Sequence, residues 1–451
     1  MPEANGGHQE RVIVVGAGAA GLTAARLLQQ HGRSVVVVEG RGRVGGRTST
    51  VDVDGALVDE GAAWIDGHKN NPVMALSEQA GLTTTRADYV DPIRIAAYDA
   101  HNRRWLGRFE SLRHIVAVER SAQRLTDAGS SGAAHLAERI DGLLAGESDA
   151  ARIRRFLLRS SVESNWADRA DLLGAQAAEI GIAYAGQEAV IIGGYGRLVD
   201  ALAEGLDIRL DHPVESILHT SEGVEVRAGE ASFAGSHVIV TVPLGVLKAG
   251  AIAFDPPLPS GKLAAIDAIG MGRLEKVVLR FDEPFWRTDP ERPRNLFHIA
   301  EGTACPMFFD LSAGAGRLML AALVTGDHGT RLIGDPAAMA AEALDALEAM
   351  FPGQVPEPTA VHTTSWQLDP FSYGSYSTIR PETTEQHFAD LVEPVGQRVL
   401  FAGEATNVER PGYVDGAIAT GIREASRILG RQVELDLTAQ ANASNDEERS
   451  R

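Results

Sequence analysis

"RVIVVGAGAAGLTAARLLQQHGRSVVVVEG", residues 11–40, decides how the chain folds. Its apolar runs VIVV and VVVV are continuous rather than alternating, the pattern of central parallel strands buried on both faces. The intervening segment has helical spacing, so the stretch reads strand, Gly-rich turn, helix, strand. Gly16, Gly18 and Gly21 form GxGxxG in the turn. The first glycine permits a tight turn, the second lets backbone approach a pyrophosphate, and the third allows close helix–strand packing. Ala19 and Ala20 then open a helix whose N-terminal N–H groups suit phosphate oxygens. Glu39 and Gly40 end the second strand, where a carboxylate can hold ribose hydroxyls. A bare structural turn explains GxGxxG alone; the strand–turn–helix context favours a dinucleotide. Glu39 would repel a 2′-phosphate, which disfavours NADP.

The next residues, "RGRVGGRTST" (41–50), place Arg41, Arg43 and Arg47 close behind that carboxylate. For an arbitrary Arg-rich stretch, a solvated loop is the ordinary reading. Beside a dinucleotide crevice, Gly46 and Arg47 can instead bring a flexible turn and a forked donor onto the same pyrophosphate. A nicotinamide enzyme has no evident use for this second clamp, whereas FAD does.

The chain's 451 residues can bury a large core and suggest two domains. A formal charge of −19 argues against a general nucleic-acid or anionic-membrane binder, since both need a basic surface. It is compatible with a cationic substrate. One cysteine, Cys305, excludes an intrachain disulfide or a multi-Cys metal site, and no metal is expected. Without a signal-like start or a long apolar span, the expected protein is soluble and cytoplasmic. Residues 1–10 and "TAQANASNDEERSR" (438–451) read as loose and polar. Residues 85–180 read as helical, with breaks at "DAGSSGAAH" and "AGESDAAR". Strands are expected at "GVEVRAG", "SHVIVTVPLG", "LEKVVLRFD" and "GRLMLAALVTG", and helices at 335–350 and 415–430.

Six further motifs share one order with a known family: "DEGAAWIDGHKNNPVMALSEQAGL", "IIGGYGRLVDALAEGLDI", "VIVTVPLGVLKAGAIAFDPPLPSGKLAAI", "GMGRLEKVVLRFDEPFW", "SWQLDPFSYGSYS" and "PVGQRVLFAGEATNVERPGYVDGAIATGIREA". With the opening stretch, they resemble the flavin-dependent amine oxidases: monoamine oxidases, polyamine oxidases and flavin histone demethylases. The resemblance covers most of 11–429 and is weakest across 90–185. It implies an α/β protein in which a Rossmann-like FAD-binding domain is interrupted by a mixed sheet-and-helix substrate domain. The expected division is 1–84, 186–270 and 395–431 for FAD, 85–185 and 271–394 for substrate, and 432–451 as a disordered tail.

By resemblance, Glu39 binds the adenosine ribose, and Arg41 and Arg47 bind ribose and phosphate; Arg43 has no assigned role. Gly61, Ala62, Ala63 and Trp64 lie against the flavin ring, and Val214 meets the adenine through its backbone. Gly403, Glu404 and Val414 complete the site, with the helix N-terminus near Val414 facing the flavin pyrimidine. Covalent members carry Cys in the "YGSYS" loop; Ser375 stands here, implying noncovalent FAD. Lys276 matches a lysine that holds water near flavin N5. Its alternative is a surface lysine, but near the flavin desolvation would lower its pKa. Tyr376 and Tyr413 match two aromatics flanking the substrate amine, with core tyrosine as the alternative. Trp366 packs along the flavin edge or in the core.

The resemblance implies hydride transfer from the C–H beside nitrogen to flavin N5, imine hydrolysis, and reoxidation by dioxygen giving hydrogen peroxide. The expected partners are a small amine and dioxygen, with no nucleic acid or membrane, in a monomer or homodimer. Asp66 departs from polyamine-oxidising relatives, which often read "WIHG" where this chain has "WIDG", with His68 two residues on. Asp66 can pair with an ammonium, accept a proton, or cap a turn. Glu163 is a second candidate ammonium partner. Di- or polyamines lead and primary monoamines follow. An L-amino-acid oxidase would need a pocket cation, for which Arg94 and Arg380 are candidates. A dehydrogenase or desaturase with another acceptor, and a non-catalytic flavoprotein, are the remaining readings. Histone demethylation is not expected, for want of an additional docking domain or a large helical insertion.

Overall fold

The computed structural model describes residues 11–87, 94–127, 134–180, 184–287 and 295–438. Residues 1–10 and 439–451, read above as loose, lie outside the described residues.

The two apolar runs become strands Val12–Val15 and Val35–Val38, paired in parallel with Val12 opposite Val35. They sit inside a five-stranded parallel sheet with His237–Val240 and Val399–Phe401 on one side and Ile208–Arg209 on the other. Strands covered on both faces have no solvent side to mark with polar residues, which accounts for their unbroken valines. The helix Ala19–Gln30 packs against the helix Val414–Leu429. Gly421 makes that crossing possible, since a Cβ there would collide with the Ala20 carbonyl oxygen. Arg26 is fully buried on the first helix, and its Nη2 donates to the Leu202 carbonyl at 2.9 Å, capping the helix Gly196–Ala203.

A second, seven-stranded sheet runs in the order Ala360–Thr363, Glu275–Arg280, Met319–Val324, Met307–Asp310, Asn295–Ile299, Ile95–Asp99, Arg104–Trp105. The helices Arg108–Asp127 and Asp149–Trp166 pack against each other near its Ile95–Asp99 side. A separate two-stranded ladder pairs Gly270–Met271 with Ser377–Thr378. There the Gly272 N–H donates to the Tyr376 carbonyl at 2.7 Å, and Ser375 N–H to the Gly272 carbonyl at 3.0 Å. The loop carrying Ser375 and Tyr376 is thereby tied to the strand that leads to Lys276.

Two expectations need correction. Residues 85–180 are not wholly helical: "IAAYD" is a strand, because a parallel partner at Asn295–Ile299 buries it almost throughout. The tail expected to begin at 432 is packed as far as Leu437. Val433 and Leu437 are buried, and Leu437 N–H donates to Gln79 Oε1 at 3.0 Å.

Candidate active site

One continuous cavity of about 790 Å³ runs between the two sheets. Its walls contain Gly16, Gly18, Ala19, Ala20, Glu39, Gly40, Arg41, Gly46, Arg47, Gly61, Ala62, Ala63, Trp64, Asp66, Val214, Lys276, Trp366, Tyr376, Gly403, Glu404, Tyr413 and Val414. Gly21 is the one expected cofactor-binding residue outside the lining. A Cβ on Gly21 would collide with the Gly16 carbonyl, so it serves the helix–strand approach rather than the cavity surface.

The end formed by the opening βαβ unit is suited to a phosphate-bearing dinucleotide. Gly16 has φ +106°, and a Cβ there would lie 2.6 Å from Thr241 Oγ1. At Gly18 no atom lies within 4 Å of the Cβ position, leaving backbone bare to the cavity. Each Glu39 carboxylate oxygen accepts one backbone N–H, Oε2 from Ala17 at 2.7 Å and Oε1 from Arg41 at 2.9 Å. Those bonds fix the carboxylate and leave lone pairs for further donors. Arg41 Nη1 pairs with Asp369 Oδ2 at 2.5 Å, while its Nη2 is buried without a partner. A buried guanidinium nitrogen left unmatched on a cavity wall is a donor awaiting an acceptor. Arg47 Nη1 donates to Glu404 Oε1 at 2.8 Å and to the Ser375 carbonyl at 2.9 Å. Glu404 also accepts from Gly412 N–H at 2.8 Å, so one carboxylate gathers three segments. Arg43 turns back onto its own loop, with Nη1 on the Gly46 carbonyl at 2.9 Å.

Lys276 is 4% exposed, which removes the surface-lysine alternative. Strands on both sides of Glu275–Arg280 bury it. Its Nζ donates to the carbonyls of Gly61 at 2.5 Å and Asp59 at 3.1 Å, and lies 4.9 Å from the Trp64 ring centroid. Desolvation lowers its pKa to about 8, opposed by Asp59 and Glu60. Burial raises the neighbouring Asp59 carboxyl to about 6, despite hydrogen bonds from Thr50 and Tyr195. Trp366 is buried against the cavity wall and donates from Nε1 to the Glu60 carbonyl at 3.4 Å.

The Tyr376 hydroxyl donates to the Ser164 carbonyl at 2.8 Å, so its ring, not its hydroxyl, is offered to the cavity. Burial raises the pKa of both tyrosines, that of Tyr413 to about 12. Tyr413 is the residue before the helix Val414–Leu429, so unpaired helix N–H groups start at the cavity wall. Beyond the tyrosines the wall is mostly apolar: Ala97, Leu106, Val118, Leu157, Phe297, Met307, Phe309 and Leu323, with Ser111, His114 and Glu119 among them.

Of the carboxylates singled out from sequence, Asp66 lines the cavity but is paired with Arg410 Nη1 at 3.3 Å. Glu163 does not line it: it accepts from Arg159 Nε and Ala170 N–H, each at 3.1 Å, and anchors a helix end. His68 also lies outside the lining, with Nδ1 accepting the Gln187 N–H at 2.9 Å. Arg94 and Arg380 are likewise absent from the lining, where the only arginines among the described residues are Arg41 and Arg47. Sequence reasoning missed Glu188, a lining carboxylate raised to about 7 by burial and then by Asp66. It carried no motif signal; it faces the cavity because Ala189 bridges Ile65.

A family model for flavin containing amine oxidoreductases matches residues 19–429. The chain is 31% identical over 446 residues to lysine-specific histone demethylase 1B of Mus musculus, covering 93% of this chain and 53% of that one. It is 33% identical over 454 residues to lysine-specific histone demethylase 1 homolog 2 of Arabidopsis thaliana, covering 94% and 59% respectively. The chain therefore spans between half and three-fifths of the length of these curated relatives. Among solved structures, wild-type putrescine oxidase bound to putrescine superposes with a TM-score of 0.75 at 23% identity, covering 94% of this chain and 99% of that one. A redesigned putrescine oxidase double mutant gives 0.78 over the same shares and at the same identity, so the fold is shared.

Proposed function

Since the chain belongs to the flavin-containing amine oxidoreductase family, we propose that it is an FAD-dependent amine oxidase whose preferred substrate is a primary monoamine with an apolar chain. The cofactor is noncovalent FAD: Ser375 occupies the loop position where covalent members carry Cys, and Cys305 is buried away from the cavity. When bound, FAD supplies the acceptor for the hydride removed from the carbon beside nitrogen.

The protein's part is orientation, charge and exclusion of water. Glu39 takes ribose hydroxyls, and the free Arg41 nitrogen, the bare Gly18 backbone and the helix start at Ala19 take the phosphates. Arg47 commits Nη1 to Glu404 and Ser375, and from the cavity wall it contributes positive charge. Tyr376 and Tyr413 steer the amine nitrogen between their rings. Lys276, buried and depressed to about 8, can exchange a proton at Nζ with water in the cavity near neutral pH.

The observation that carries the substrate preference is the pairing of Asp66 with Arg410 beside an apolar wall. The carboxylate expected to meet a second ammonium already has a cation. A chain of CH₂ groups or an aryl ring is the better match to the side chains beyond the tyrosines. Anaerobic mixing of the yellow protein with benzylamine, alkylamines, putrescine, spermidine, N-methyl-lysine peptides and L-amino acids, followed by air, tests the reading. Bleaching by the monoamines, reversed by air with peroxide release, is the expected result. Bleaching by diamines or methyl-lysine peptides alone would overturn the substrate, and slow recovery in air would overturn the oxidase.

A further inference from the structure

Arg410 is 6% exposed, yet its guanidinium governs two cavity-lining residues. Its central carbon lies 3.7 Å from the ring centroid of Tyr413 and 5.0 Å from that of Tyr184. Nε donates to Asp415 Oδ2 at 2.8 Å, on the first turn of the helix that Tyr413 precedes. Nη1 reaches Asp66 Oδ2 at 3.3 Å, from a segment far away in sequence. A guanidinium is planar and charged at every working pH, so stacking fixes the ring's plane as well as adding charge.

We infer that Arg410 is a positioning residue that holds Tyr413 and Asp66 in the cavity wall and biases the site toward the neutral form of the amine. The inference rests on the amine reading above. With one face of Tyr413 covered by a cation, the ring has less attraction to offer an ammonium. The fixed positive charge also repels it directly, and a low-polarity cavity weakens that repulsion little. A neutral amine feels neither effect, and it is the form whose nitrogen lone pair assists loss of hydride. The charged or titratable groups around Arg410 are Asp66, Asp415, Tyr413, Tyr184 and Tyr195, with Glu188 beyond Asp66 and Glu409 acting on Tyr184. Asp66 and Asp415 together outweigh the single guanidinium, so Arg410 reduces the negative charge of this wall and its removal leaves the wall more anionic.

The test is kcat for benzylamine against pH, at saturating amine, in the FAD-loaded wild type, Arg410→Gln and Arg410→Lys. It is paired with binding of benzyltrimethylammonium, read as a change in flavin absorbance. That probe is permanently cationic and has no lone pair. Arg410→Gln is expected to move the rising limb of kcat about one pH unit higher, because the bound ammonium holds its proton more tightly, and to tighten the quaternary cation about tenfold. Arg410→Lys is expected to keep the limb in place but to lose about tenfold in plateau kcat, because charge remains and the planar stack is lost. An unmoved limb and unchanged cation binding in folded Arg410→Gln would overturn the inference. Should that variant fail to retain FAD, Asp66→Asn decides, since it keeps the Arg410–Asp415 pair. Removal of its negative charge should move the limb downward, and an unmoved limb there also overturns the inference. A wild type reduced by no amine would refute the proposed function instead, while the quaternary-cation titration still judges Arg410.

Discussion

Lys276 Nζ lies 2.5 Å from the Gly61 carbonyl oxygen, joining the second sheet to the segment that forms the cavity's aromatic wall. The bond anchors the buried lysine to the Gly61 backbone, where a Cβ would collide with the Arg47 carbonyl; desolvation, not the bond, loosens the lysine's proton. Trp64, three residues on, lies beneath the same ammonium.

Lys276 should therefore control the step that follows substrate oxidation. Its folded pKa of about 8 leaves it charged below that pH and neutral above it. Reoxidation of the anaerobically reduced protein by dioxygen is expected to titrate with a midpoint near 8. In Lys276→Met the titration should vanish and the rate fall about 100-fold, while FAD stays bound. Stopped-flow absorbance reads both, and a variant that keeps the midpoint would refute the assignment.

The glycines separate folding from cofactor binding. Gly18→Ala has open space and an ordinary φ of −81°, so thermal stability without FAD should change little. Its methyl enters the cavity, and FAD affinity should fall at least tenfold. Gly21→Ala and Gly61→Ala collide with the carbonyls of Gly16 and Arg47. Each should cost about 3 kcal/mol of stability, measured by thermal or denaturant unfolding.

Arg47→Ala would leave Glu404 buried at 6% exposure with only Ser377 and Gly412 for donors. A loss near the lower end of the roughly 3–5 kcal/mol typical of broken buried pairs is expected. The double variant Arg47→Ala, Glu404→Gln should recover about 1 kcal/mol or more of it. Simple additivity in unfolding experiments would show that the pair is not coupled.

Tyr376→Phe removes a hydroxyl committed to the Ser164 carbonyl, not to the cavity. Turnover should stay within about threefold of wild type, with a stability loss of about 1 kcal/mol. A hundredfold loss of kcat would mean that the hydroxyl itself acts on substrate.

Much of this was legible in the chain. The valine runs at 12–15 and 35–38 announce strands because burial on both faces leaves no polar alternation. The glycine spacing and Glu39 announce a dinucleotide turn because backbone conformation there is local. The helices Pro336–Met350 and Val414–Leu429 appear within a residue of where periodicity put them. Residues 95–99 were harder: "IAAYD" becomes a strand only through a partner 200 residues later, at Asn295–Ile299. Glu163 and Asp66 were both candidate ammonium partners, Asp66 the leading one; Glu163 lies on a helix end held by Arg159 and Asp66 on the cavity wall.

The sequence by itself determined the elements, the dinucleotide turn and the family, because each is written in neighbouring residues whose spacing and conformation obey local rules. Most of the site positions it marked line the cavity. What those side chains can do was decided by tertiary structure. Lys276 owes its low pKa to strands on both flanks, and Asp66 meets its cation across a separation of 344 residues. Charge and desolvation depend on distance in space, and the folded chain sets that distance with little regard for distance along the sequence.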